Sequence, residues 1–456
     1  MANSDLMSTI STSPAAGGAT SVGGTGRNII DGVLSGYKWK GDALFYAFPD
    51  KASDYSYGGE KNHGFGAVEQ NIRSAARYIL DQSYAGKAND GFSVEGFTKL
   101  RIAEGSDAKS DIRYADSTSA NPTAYAYYPS NHSSGGDVWF GDNFDYGNAR
   151  MGNYAYLTVI HETGHALGLK HPHEASNGFG QMARGLDSLE YSVMSYRSYT
   201  GASTTAGYTN DVWDYPQSFM MADIAALQHL YGADYSTNGG DTVYRWRPDS
   251  GATIVNGDAA FKPGANRIFA TIWDGGGVDT YDLRAYKNDV TIDLRPGEES
   301  RFSRGQSAHL DFDNPSRLAK GNIYNALLHE KDERSLIENA KGGAGDDVLR
   351  GNQGENRLWG GNGADRLMGG GDQDVMVGGG GADVFVFEKG WDRDRVQDFG
   401  GADLIDLSDF NMKSFMALKQ HFEQMNYGVV LDFGGGDALV VAGAKIAQLD
   451  SGSFIL

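Results

Sequence analysis

Between Tyr156 and Pro172 the chain reads Y-L-T-V-I-H-E-T-G-H-A-L-G-L-K-H-P. His161, Glu162 and His165 form the pattern H-E-x-x-H. Residues four apart on a helix share a face, so His161 and His165 can offer two imidazoles to one metal while Glu162 sits beside a water on that metal. Leu157, Ile160 and Leu167 add an apolar stripe, which a plain buried helix would show equally well. The longer string separates the two readings. Gly168 falls where the helix must stop, because glycine takes the left-handed conformation that turns the chain back, and His171 can then return as a third nitrogen ligand. Three imidazoles suit Zn²⁺ and leave a coordination position open for water. Zinc would polarise a scissile carbonyl and acidify that water, with Glu162 taking its proton and later delivering it to the departing amine. Downstream, S-V-M-S-Y at 192–196 can supply a floor under the imidazoles through Met194. Its Tyr196 can place a phenol on the metal at rest and then hydrogen-bond the developing oxyanion. His173 lies out of register and reads as a surface histidine.

The elements that must position these groups follow from periodicity. Asn28 to Trp39 suggests a short amphipathic helix, and Ala43 to Phe48 a strand that ends at Pro49. Val68, Ile72, Ala75, Ala76 and Ile79 recur at helical spacing, as in a long helix backing a sheet. Strands are expected at Phe92 to Leu100, Ser110 to Ala115, Ala124 to Tyr128 and Asp137 to Phe140. Pro129 marks the segment A-Y-A-Y-Y-P as an edge, since proline cannot donate to a ladder, and an edge strand can pair with an extended peptide. The ligand helix follows, and Met220 to Tyr231 reads as a further helix closed by Gly232.

With 456 residues the chain can bury two substantial cores. Its formal charge of -20 argues against nucleic acid as a partner. Cysteine is absent, which excludes disulfides and thiolate metal sites, so stability must come from packing or bound ions. Residues 1–26, rich in Ser, Thr, Gly and Ala, read as a flexible leader or propeptide, residues 27–235 as the catalytic domain and 236–456 as a second domain. The N-terminus lacks a basic run followed by an apolar one, and no stretch approaches the ~20 apolar residues of a membrane span, so export would need a route that does not read the N-terminus.

The second domain carries a repeat. Segments beginning at residues 342, 351, 360, 369 and 378 share a period of nine. The sixth position holds Asp347, Asn356, Asp365, Asp374 and Asp383, and the eighth holds Leu349, Leu358, Leu367, Met376 and Phe385. Each unit is a glycine-rich turn followed by a very short strand with one inward side chain, and such units stack as a calcium-binding parallel β-roll. Stacked aspartates need Ca²⁺ between them because their charges otherwise repel. A flexible linker would not keep an apolar residue at every ninth place. The unit with Asn352 and Asn356 is the weakest for an ion. Upstream, the turn W-D-G-G-G-V-D-T-Y-D offers Asp274, Asp279 and Asp282 to a hard cation. Past the repeats, strands at Val384 to Phe387, Val396 to Phe399, Leu404 to Leu407, Val429 to Phe433 and Ala438 to Val441 should extend and cap the roll, with a helix at 412–424.

Taken together, H-E-T-G-H-A-L-G-L-K-H-P, S-V-M-S-Y and the nonapeptide repeats, in this order from about residue 28 to the C-terminus, resemble a serralysin, a secreted bacterial zinc endopeptidase of the metzincin clan. The resemblance implies an α+β metzincin catalytic domain followed by an all-β parallel β-roll. It implies one catalytic Zn²⁺ on His161, His165, His171 and, at rest, Tyr196, with Glu162 as base and a methionine turn at Met194. Structural Ca²⁺ ions outside the repeats would use Asp274, Gly276, Gly277, Asp279 and Glu338. Within the repeats the candidates are Gly343, Gly345, Asp347, Gly361, Gly363, Asp365, Gly370, Asp374, Gly379, Gly381 and Asp383. Implied partners are extended polypeptide substrates of broad sequence, a type I secretion system that reads the C-terminus, and a small periplasmic inhibitor protein, for a monomeric enzyme. Two departures stand out: Ser453 replaces the acidic residue that typically precedes the apolar end, and His173 replaces a glycine. A surface-layer protein with an inactive histidine site is the competing class, opposed by the presence of Glu162 and all three histidines. A calcium-roll lipase would need a G-x-S-x-G elbow, which is absent.

Overall fold

The computed structural model describes residues 18–85 and 91–456. The chain divides into two compact units, Met1–Asp234 and Tyr235–Leu456. The first is mixed α+β, and the second is built largely of short parallel strands.

In the first unit the main path of the sheet runs Arg101–Glu104, Ala43–Ala47, Ile112–Asp116, Asp137–Phe140, Ala124–Ala126. Neighbours along it are parallel except the last pair, in which Ala124–Ala126 lies antiparallel to Asp137–Phe140 and takes the edge, as Pro129 predicts. All four residues of Asp137–Phe140 are buried, so this strand has no solvent face and its apolar run V-W-F packs on both sides. Against the sheet lie the helix Gln70–Leu80 and the ligand helix Tyr154–Leu167, which also contact each other. The former buries Ile72, Ala75, Ala76 and Ile79 along one stripe, each large side chain contributing about 1.5–3 kcal/mol. The ligand helix is buried all round, which explains why its sequence shows little polar face.

Three expectations change here. The strand expected over 92–100 is instead a short helix, Val94–Phe97, followed by the strand Arg101–Glu104. Ser93 is the cause, because its hydroxyl accepts from the Gly96 N–H at 3.0 Å and caps the turn. The helix expected over 28–39 stops at Asp31, and Tyr37–Trp39 turns into a strand paired with Ala19–Ser21. Backbone groups of Val33 and Ser35 are taken by Lys170 and Gly168, at 2.7 and 2.9 Å, and so cannot continue a helix. That pairing also corrects the leader, since residues 18–26 are held in the fold while 1–17 lie outside the described residues. Thr25 and Gly26 donate their N–H groups to the Asp31 carboxylate at 2.7 and 2.9 Å.

In the second unit each repeat strand pairs in parallel not with the next repeat but with the one after it. Leu349 faces Leu367, which faces Phe385, which faces Ile405 in one sheet, while Leu358 faces Met376 in another. One coil of the roll is therefore two nonapeptides. All five eighth-position side chains are fully buried and form its core. Beyond the repeats the strand expected at 396–399 occupies Arg393–Val396. The helix expected over 412–424 shrinks to Phe415–Leu418, because Phe422–Met425 is claimed by antiparallel pairing with Gly428–Leu431. The apolar end is absorbed too: Phe454–Ile455 pairs with Ile405 and Asp406, and the Phe454 ring packs on Phe415 and Phe422. No helix of the described residues is long and apolar enough to cross a membrane.

Candidate metal centre

Asn153 starts the ligand helix by accepting from the Tyr156 N–H at 2.9 Å. Gly168 ends it at φ 110°, where a Cβ would stand 2.3 Å from the Tyr37 carbonyl oxygen, so no other residue fits. The chain then returns His171 to the helix face. Its Nε2 lies 3.1 Å from Nε2 of His161 and 2.9 Å from Nε2 of His165. The opposite nitrogens are anchored: Nδ1 of His161 donates to the Val193 carbonyl and Nδ1 of His165 to the Leu169 carbonyl, each at 2.8 Å. That fixes the tautomers and turns both Nε2 lone pairs inward.

Burial, reinforced for His165 and His171 by the neighbouring imidazoles, lowers the pKa of His161 to about 4, that of His165 to about 3 and that of His171 further still. Three neutral nitrogens therefore converge on one point with no proton to share, which fits a cation bound between them. Glu162 lies beside them, with one carboxylate oxygen buried and unpartnered and its pKa pushed up to about 8 by burial. Tyr196 packs with its ring centre 4.3 Å from that of His171 and 5.7 Å from that of His161. Met194 is fully buried, and a Cβ on Gly164 would come 2.5 Å from its sulfur, so the methionine lies directly under the ligand helix.

His173 is not a surface histidine. The turn closed by the Glu174 N–H on the His171 carbonyl folds it back, leaving its side chain 20 % exposed and its ring stacked 5.4 Å from His171 at 14°. Two further neighbours join the site. Tyr128 meets His165 edge-on at 5.5 Å. Asp223, from the helix Met221–Tyr231, accepts from the Ser192 hydroxyl at 2.6 Å, the Val193 N–H at 2.8 Å and the Met220 N–H at 3.0 Å. It thereby pins the backbone whose Val193 carbonyl orients His161. For Asp223 the local signal is an acid at the third position of a helix whose first seven residues are otherwise apolar; Tyr128 has none. Asp223→Ala removes the acceptor of all three hydrogen bonds and should lower the unfolding free energy by about 3 kcal/mol in urea titration, against about 1 kcal/mol for Ser192→Ala.

The calcium candidates divide. Asp274, Asp279 and Glu338 come together: Glu338 accepts from the Asp279 N–H at 2.6 Å, Asp274 from the Gly276 N–H at 2.8 Å, and Oδ2 of Asp279 is buried without a partner. Burial and mutual repulsion push these acids up to about 7, 9 and 7 respectively. Gly276 and Gly277 sit at φ 139° and 140°, open to glycine alone. Asp282 does not join them. Arg245 and Arg284 each reach its carboxylate at 2.8 Å and hold its pKa down at about 2, so it needs no cation.

In the roll the sixth-position acids form ladders. Asp347 donates its N–H to Asp365, Asp365 to Asp383 and Asp383 to Asp403, at 2.8, 2.9 and 3.0 Å. Asn356 donates to Asp374 and Asp374 to Asp394, at 2.7 and 3.1 Å. Oδ2 of Asp365, Asp374 and Asp394 is buried and unpartnered, as expected of carboxylates that face an ion. Asp394 and Asp403 lie outside the nine-residue period because the spacing lengthens from 18 to 20 residues there. The remaining candidates, Gly343, Gly345, Gly361, Gly363, Gly370, Gly379 and Gly381, all lie where a Cβ would meet backbone of the preceding coil at 2.4 Å or less.

Residues 94–185 match the matrixin family model, residues 233–309 the Peptidase M10 serralysin C-terminal model, and residues 341–376 and 359–390 the RTX calcium-binding nonapeptide repeat. Metallopeptidase AprA of Pseudomonas marginalis is 33% identical over 414 residues, 87% of this chain and 79% of that protein. Serralysin of Proteus mirabilis is 31% identical over 67% of this chain, and serralysin C of Dickeya chrysanthemi 34% over 50%. Those two alignments span 58% and 42% of the relatives' own lengths. With its histidine triad, its calcium-repeat roll and an alignment to AprA over most of both chains, this chain belongs to the serralysin family of M10 peptidases.

Proposed function

We propose that the protein is a secreted zinc endopeptidase that cleaves peptide bonds in extended polypeptides. The observation that carries this reading is the convergence of three unprotonated Nε2 atoms beside the unpartnered carboxylate of Glu162. Zn²⁺ on His161, His165 and His171 would supply Lewis-acid polarisation of the scissile carbonyl and acidify the attacking water. Glu162 takes the proton from that water at its free oxygen and delivers it to the departing amine. Burial, which raises the carboxyl to about 8, favours the proton it carries between those transfers. Tyr196 is kept protonated by burial, its pKa raised, and its hydroxyl serves as a hydrogen-bond donor to the developing oxyanion.

Substrate is held on the edge strand Ala124–Ala126, whose outer side is free to pair with an extended chain. Next to Glu162 opens a cleft of about 470 Å³, lined by Tyr154, Leu157, Thr158, Tyr208 and Tyr215. On the side formed by Leu157, Tyr154, Tyr208 and Tyr215 it suits an apolar side chain over a charged one. The calcium-binding repeats support export through a type I secretion system, with the roll folding on Ca²⁺ outside the cell.

Casein hydrolysis by the purified protein tests the reading. Tyr196→Phe should lower kcat by about 10²-fold while the bound zinc stays at the parent level. An unchanged kcat would remove the phenol from the mechanism.

A further inference from the structure

His161 and His165 are fixed twice, by the ligand helix and by a backbone carbonyl on Nδ1. His171 has neither: it sits on a loop, and its buried Nδ1 makes no hydrogen bond, with only the half-exposed Glu174 carboxylate 3.2 Å away. Beyond the ring contacts with His173 and Tyr196, its position therefore comes from its backbone. The neighbouring Lys170 is fully buried and points its ammonium into a cage of carbonyl oxygens. Gly32 and Glu174 lie at 2.6 Å, Gly180 at 3.2 Å and His171 itself at 3.3 Å. An ammonium has three protons, so the two short contacts take one each and the longer pair shares the third. A charge so placed is tolerable only when hydrogen-bonded, and the cage can hardly open without stranding it.

We infer that Lys170 is a positioning residue for the third metal ligand, using its ammonium as a fixed internal cation that clasps the loop around His171 to the N-terminal segment at Gly32. Two of its four acceptors bracket the turn 171–174, one anchors Gly180 beyond it, and the fourth belongs to a segment about 140 residues away in sequence. The same segment runs along the loop through the Lys170 N–H on Val33, the Ser35 N–H on Gly168 and the Asn28 side chain on Gln181. Removing the ammonium frees the loop, and the metal held by its histidine leaves faster. The inference rests on the zinc reading above.

The test measures transfer of zinc from the loaded full-length protein to a coloured chelator, with calcium in excess throughout. Lys170→Met, which keeps length and loses charge, should release zinc about 10- to 100-fold faster than the parent. Lys170→Ala should release it equally fast and be slowed again by n-propylammonium, the missing piece of side chain, but not by n-propanol. A parent that takes up no zinc sinks the zinc reading itself. A parent that holds zinc while Lys170→Met releases it at the parent rate sinks the role of Lys170 alone, as does equal rescue by propanol, which would make the residue a matter of packing. Should both variants fail to fold, hydrogen exchange on the parent decides: zinc removal must speed exchange at residues 32–35 together with 170–182, and unchanged exchange at 32–35 overturns the inference.

Discussion

Glu162→Gln should lower kcat/KM for peptide hydrolysis by about 10²–10⁴-fold while leaving the fold and the zinc content as they are. Glutamine keeps the size and planarity of the side chain but cannot take up a proton. The free carboxylate oxygen is buried with no partner, so its replacement breaks no hydrogen bond that holds the protein together. The substitution also relieves a buried acid whose pKa is already pushed up to about 8, and the melting temperature should hold or rise slightly. Peptide hydrolysis with the substituted protein, against zinc content by elemental analysis, separates loss of the base from loss of the metal. Full activity would remove Glu162 from the chemistry.

Calcium removal should have the larger structural effect. The roll has buried carboxylates whose second oxygens face nothing in the protein, at Asp365, Asp374 and Asp394, and a further one at Asp279 in the turn. Without an ion their pKa values are pushed up to about 7, 7, 9 and 9, by burial first and by neighbouring acids second. Each ion bound at a hundredfold excess over its Kd contributes about 2.7 kcal/mol, so several together rival the ~5–15 kcal/mol of a typical domain. Chelation at pH 8 should therefore abolish most β structure of residues 235–456 by circular dichroism. The sign of the pH dependence follows. Folded-state values above the unfolded value of about 3.9 mean that the ion-free roll is most stable below that value and loses stability as pH rises toward 7–9. Acidification in chelator should restore β structure, and a spectrum indifferent to calcium would contradict the ladder geometry.

What the sequence disclosed was what short-range geometry controls. His161 and His165 share a helix face by spacing alone, Gly168 must turn the chain back, and the period of nine points Leu349, Leu358, Leu367, Met376 and Phe385 inward. What it hid depends on partners distant in the chain. Asp282 resembles a ligand until Arg245, 37 residues earlier, is seen to neutralise it. Asp223 and Tyr128 reach the metal centre only through packing of the helix and the edge strand. His173 looked solvated because its turn, not its spacing, brings it onto His171. The strand expected at 92–100 was lost to one local competitor, the Ser93 cap, and residues 18–26 gained order from pairing with Tyr37–Trp39. Asp394 and Asp403 continue the aspartate ladders after a two-residue lengthening that breaks the pattern in sequence but not in space.

On the proposed mechanism one zinc ion on three histidines does the cleaving, while calcium holds the second unit together. Titrating zinc back into protein stripped by a zinc-selective chelator, with calcium kept in excess, tests it most directly. Casein hydrolysis should be absent at the start, rise in proportion to zinc and stop rising at one ion per chain. Activity that survives complete zinc removal with the fold intact would contradict the claim.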